Sequence, residues 1–109
     1  MIFKIVHRDE WRAAESSDIY RGSAKDKADG FLHFSTEEQL MGTLNRYYAG
    51  ADDLFLVAVD ADSLGDALKY EPSMGGTLYP HLYGNLPLGA VRWSRPIAKD
   101  AAGAFVPPL

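Results

Sequence analysis

Leu54-Phe55-Leu56-Val57-Ala58-Val59 is apolar at every position and lies between Asp53 and Asp60. Successive side chains of an extended chain point to opposite faces, so a strand within 53–61 presents two apolar faces. Both faces need cover, which makes this a central strand with other elements packed above and below it. Working outward, Ile2-Phe3-Lys4-Ile5-Val6-His7 and Val91-Arg92-Trp93-Ser94-Arg95-Pro96-Ile97 read as further strands, rich in branched and aromatic residues. In the first of these, alternation puts Ile2, Lys4 and Val6 on one face and Phe3, Ile5 and His7 on the other.

Helical signals fall between the strands. Residues 8–15 predict a short helix with Asp9 and Glu10 in its first turn, where acidic side chains complement the dipole, and with Trp11 and Ala14 facing the core. Gly30 to Ser35 reads as a strand. Ser35-Thr36-Glu37-Glu38 then gives a helix start, the serine and the glutamate three residues on forming a reciprocal cap. The helix that follows carries Leu40, Met41, Leu44, Tyr47 and Tyr48 at helical spacing and stops near Gly50. Residues 16–29 are polar and read as a loop, anchored by an extended Ile19-Tyr20-Arg21. Leu68-Lys69-Tyr70-Glu71 reads as a short strand, 72–76 as a loop, 86–90 as a turn, and the tail beyond Ile97 as irregular. Short strands mixed with two main helices predict an α+β domain over residues 1–109, with a small, mostly antiparallel sheet.

Composition narrows the function classes. The 109 residues are 47% hydrophobic and 24% charged, which suits one modest core. A net charge of −4 argues against broad nucleic-acid binding, which needs clustered cations. The absence of cysteine excludes disulfides, thiolate metal sites and cysteine nucleophiles. No apolar run reaches the roughly 20 residues of a membrane helix, and the first residues do not resemble a signal peptide. A soluble, cytoplasmic protein is expected. The three histidines lack the paired spacing of a zinc site, so no metal is expected.

The residues that bear chemistry are few. His33 lies in Gly30-Phe31-Leu32-His33-Phe34-Ser35-Thr36 and shares a strand face with Phe31 and Ser35. It reads either as a partly buried histidine bonded to backbone or as a cleft residue beside a helix N-terminus, where free amides and the Ser35 and Thr36 hydroxyls would hold an anion. The same hydroxyls read equally as simple caps. His81 sits in Leu78-Tyr79-Pro80-His81-Leu82-Tyr83-Gly84, a segment read as a loop of fixed path. Its flanking tyrosines, Tyr79 and Tyr83, either stack on a planar ligand or cover the core. Arg21 and Arg46 are candidate anion partners or solvated surface residues. Tyr20 is a candidate ligand contact or a packing anchor, and Glu71 a general base or an ordinary strand-end acid. No nucleophile elbow, phosphate loop or dinucleotide fingerprint is present.

Several of these blocks, in order, resemble a bacterial family of small proteins, domain of unknown function 952. They are Gly30 to Thr36, Tyr47-Tyr48-Ala49-Gly50 with Asp53-Leu54, Tyr70-Glu71-Pro72, and Pro80-His81-Leu82-Tyr83-Gly84-Asn85-Leu86-Pro87-Leu88. The resemblance spans residues 1–97. It implies an ADP-ribosyltransferase-like fold, a split sheet that in active members holds NAD in a central cleft, and a likeness to the RNA 2′-phosphotransferases. By that likeness Lys4 stands where many relatives have histidine, His33 comes from the next strand, and His81 lies near the place of a transferase glutamate. The chain departs at Lys4 and has no glutamate clearly in the third position. A lysine still suits a phosphate or ribose hydroxyl, and Glu71 is the substitute whose fitness geometry decides.

The expectation is therefore a small protein binding a nucleotide-like or phosphorylated small molecule, of the NAD or ADP-ribose type, with transferase-like chemistry if any. His33 and His81 would hold ribose or phosphate oxygens, and Lys4 or Arg21 would counter charge. Two other readings remain. One is a non-catalytic interaction or regulatory module on a decayed transferase scaffold, with exposed aromatics such as Tyr47, Tyr48, Tyr79, Tyr83 or Trp93 as its interface. The other is an enzyme on a different small substrate with histidine as general acid–base. The distance between the His33 and His81 rings separates a shared pocket from two unrelated histidines.

Overall fold

The Leu54–Val59 run forms β4, and all six of its residues are buried. It pairs antiparallel on one side with β1 (Ile2–His7) and on the other with β8 (Val91–Pro96). The computed structural model describes residues 1–109 except for the side chain of Met74. The two faces of β4 feed two separate cores. One gathers Phe55, Val57 and Val59 with Ile2, Val6, Trp11, Tyr20, Phe34 and Leu86. The other gathers Leu54, Leu56 and Ala58 with Phe3, Ile5, Leu40 and Leu44. Each buried Leu, Val or Ile contributes about 1.5–3 kcal/mol relative to exposure, so this one strand anchors much of the fold.

A second three-stranded sheet has the order β3 (Leu32–His33), β6 (Leu78–Leu82), β5 (Leu68–Pro72) and is also antiparallel. Two short ladders complete the strands: β2 (Ile19–Tyr20) with β7 (Leu86–Pro87), and β9 (Ala98–Lys99) with β10 (Phe105–Val106). The two main sheets touch through a bridge in which Phe3 N donates to Ser35 O, and Ser35 N to Phe3 O, both at 2.8 Å. Helices α1 (Arg8–Ser17) and α3 (Glu37–Tyr47) bury Trp11 and Ala14, and Leu40 and Leu44, respectively. The architecture is α+β with antiparallel sheets.

Four local expectations need correction. Residues 16–29 are not a loop: α1 runs on to Ser17, and a further helix, α2, spans Ala24–Asp29. Ser23 caps it, accepting from Asp26 N at 3.2 Å while Ser23 N donates to the Asp26 carboxylate at 2.9 Å. Second, the strand expected over 30–35 pairs only at Leu32 and His33, plus the Ser35 bridge. Third, the cap of α3 is Thr36 rather than Ser35; Thr36 N donates to Gln39 Oε1 at 3.0 Å, while the Ser35 amide is taken by Phe3. Fourth, His81 lies in β6, and the tail folds back as the β9–β10 hairpin.

Candidate functional site

Where the two sheets part, a cleft of about 340 Å³ opens between β1, α2, α3 and the β3–β6 pair. His33 and His81 are register partners on β3 and β6. Directly opposed residues of an antiparallel pair project from the same face, and the two rings sit 5.7 Å apart, edge to face. Both line the cleft. The histidines that lie far apart in the sequence thus share one pocket. Phe31 stacks on His81 with centroids 4.0 Å apart and lies 4.6 Å from His33, joining both rings in one aromatic wall.

The surroundings give the two imidazoles different tasks. His33 Nδ1 is 2.6 Å from Asp26 Oδ1, and its Nε2 is 2.9 Å from Asp29 Oδ2. A neutral imidazole has one N–H, so only the imidazolium donates to both carboxylates. His81 Nδ1 is 2.8 Å from Glu71 Oε1, which also accepts from the Tyr83 hydroxyl at 2.7 Å. These bonds hold the Glu71 carboxyl below its usual range, Tyr83 contributing most and His81 next. Among the described residues His81 Nε2 makes no hydrogen bond. A carboxylate that fixes the Nδ1–H tautomer leaves Nε2 as an acceptor, the arrangement of a general base.

Asp26, which the sequence alone does not single out, is the hub of the cleft floor. It is 2% exposed and takes Lys4 Nζ at 3.0 Å, the His33 ring, and the backbone amides of Ser23 and His33. Burial pushes its carboxyl up, yet the His33 bond, the Lys4 charge and the Ser23 amide together hold it well below the carboxylate range. Lys4 is buried as well and donates to His33 O at 3.0 Å. Desolvation pulls its ammonium below the ordinary lysine value, against the opposing pull of Asp26. The one legible sign of Asp26 was the Ser23-x-x-Asp26 spacing of a helix cap.

The remaining candidates scatter. Arg46 lines the cleft beside Lys25, Tyr47, Tyr48 and Tyr79. Burial pushes the Tyr48 hydroxyl up to about 12. Glu71 and Tyr83 stand behind His81 and outside the lining, acting on the cleft through its ring. Ser35 lines the cleft, but its hydroxyl is 2.9 Å from that of Thr43. Ser35 N and Thr36 N are also bonded internally, to Phe3 O and Gln39 Oε1, so neither amide is free for the anion expected at the start of α3. Tyr20 is a core residue against Trp11, its ring 5.8 Å from Lys4 Nζ, and Arg21 is exposed and does not line the cleft. Among the described residues no group of three or more side chains is arranged to hold a metal ion, and no helix is long and apolar enough to cross a membrane.

A family model described as protein of unknown function (DUF952) matches residues 5–94. The chain belongs to the DUF952 family. The crystal structure of protein CC0527 from Caulobacter crescentus is similar to this DUF952 chain at 42% identity and a TM-score of 0.91, covering 96% of this chain and 92% of that one. The solution NMR structure of CC0527 is similar at 43% identity and a TM-score of 0.84, covering 94% and 88%. No functionally curated protein matches the chain.

Proposed function

We propose that the cleft binds a nucleotide-like small molecule of the NAD or ADP-ribose type. The observation that carries this reading is the paired His33 and His81 rings, 5.7 Å apart in a cleft of about 340 Å³. Its volume lies within the range of small-molecule sites, and its lining joins apolar walls to a few convergent polar groups. Phe31 and Tyr79 offer flat faces to a base, while Lys25 and Arg46 bring positive charge to the same opening. Two antiparallel sheets joined at the Phe3–Ser35 bridge, with the cleft where they diverge, support the ADP-ribosyltransferase-like reading of the fold.

Transferase-like chemistry would use His81 rather than His33. His81 Nε2 takes the proton of an acceptor hydroxyl as its oxygen bonds to the ribose C1′. The C1′–nicotinamide bond breaks, and nicotinamide leaves with the bonding electrons. Glu71 is tied to His81 Nδ1 and Tyr83, so it acts through the imidazole and not on the ribose directly. The competing reading, an interaction module with tyrosines as its interface, has less support because Tyr47, Tyr48 and Tyr79 line the cleft itself.

NMR titration with NAD, ADP-ribose and AMP tests the reading. Shifts concentrated at His33, His81 and Phe31 are expected. Unmoved resonances there at millimolar ligand would overturn it.

A further inference from the structure

We propose that the Asp29 carboxylate occupies the position of a ligand phosphate, bridging His33 Nε2 and Lys25 Nζ until an anionic group displaces it. The inference rests on reading the cleft as a nucleotide site and states where the anionic part of the ligand binds and what it must move.

Asp29 Oδ2 lies 2.9 Å from His33 Nε2 and 3.0 Å from Lys25 Nζ, and all three residues line the cleft. One oxygen thus collects the outward-facing nitrogens of two side chains. The two carboxylates on His33 are not equivalent. Asp26 is 2% exposed and fixed by Lys4 and two backbone amides, so it cannot leave. Asp29 has a side chain 38% exposed and, among the described residues, no bond beyond Lys25 and His33. It also stands in the last turn of α2, before the left-handed Gly30, where a negative charge opposes the helix dipole. Exposed ion pairs of this kind are weak.

A phosphate oxygen arriving at the same point accepts from both donors, so displacement leaves neither His33 Nε2–H nor Lys25 unsatisfied. The released Asp29 carboxylate turns into water. While it stays, its charge repels the incoming anion. Asp29 therefore sets a threshold, admitting ligands whose anionic group binds better than a monovalent carboxylate.

The test compares wild type with Asp29→Asn and Lys25→Gln by NMR titration with inorganic phosphate, AMP and adenosine. Asp29→Asn should bind inorganic phosphate and AMP about two- to fivefold more tightly than wild type, the scale of one exposed charge contact. Its affinity for adenosine should not change, and Lys25→Gln should weaken the two phosphates alone. Phosphate affinity that is equal or lower in Asp29→Asn overturns the inference. If adenosine and AMP still shift His81 in that case, the nucleotide reading of the cleft stands without it. If no compound moves His33 or His81 in either protein, both fall.

Discussion

At Asp26 four donors converge on two oxygens: the Lys4 ammonium, the His33 ring, and the amides of Ser23 and His33. A buried ion pair contributes little net stability over an apolar pair, but removing one member leaves the other charged and unpaired in a dry site. Asp26→Asn strands Lys4 and should lower the free energy of unfolding by about 3–5 kcal/mol. Lys4→Met leaves Asp26 with its other three donors and should cost about 1–3 kcal/mol. Urea unfolding of both variants checks the order; a Lys4→Met loss equal to or larger than that of Asp26→Asn would contradict it. His33 was legible as a polar residue on a strand face. Its two carboxylates were not, because nothing in the spacing of Asp26, Asp29 and His33 shows that the chain folds back between them.

The α2 helix shows why some elements escape a reading of periodicity. It buries only Asp26, so it has no apolar stripe, and periodicity has nothing to detect. The β6 strand escaped for another reason. Proline within a strand argues against a central position, yet Pro80 O accepts from Phe34 N at 3.0 Å on a side where the β3 ladder has ended at His33. Pro80 has no N–H to return that bond to Phe34 O opposite it, so the β3 pairing stops at His33 while the β5 pairing continues through Pro80. Gly22, which leads into α2, has φ +105, and a Cβ there would lie 2.7 Å from Leu32 Cδ2 and 2.9 Å from Asp26 Cβ. Gly22→Ala should destabilise the protein by about 2–4 kcal/mol, combining backbone strain with a clash beside Asp26. Gly30→Ala, at φ +86 but facing open space, should cost only about 1 kcal/mol. Thermal unfolding of the two variants side by side measures the difference, and equal losses would show that α2 needs no close approach at Gly22.

Across the whole molecule, the Lys4–Asp26–His33 network joins β1 of one sheet to β3 of the other through α2, so its protonation bears on global stability. The Asp26 carboxyl is held below its usual range when folded and returns to about 4 when unfolded. As the pH falls to about 4 and below, the unfolded chain thus binds the extra proton first. The stabilisation is present above that pH and is lost as the pH falls toward the folded value. Urea midpoints measured from about pH 6 down to about pH 2.5 should drop steeply in wild type and more shallowly in Asp26→Asn; parallel curves would remove Asp26 from the acid limb. The apolar pattern by itself determined β1, β4, β8, the helices that bury Trp11 and Leu44, and so the α+β class, since burial on alternate or every third to fourth position is a local property of the chain. Only the tertiary structure decided the site. The pairing of His33 with His81, the stacking of Phe31 and the place of Asp26 between Lys4 and His33 depend on strand register and on a polar helix. Those are set by contacts between residues far apart in sequence, which no local periodicity records.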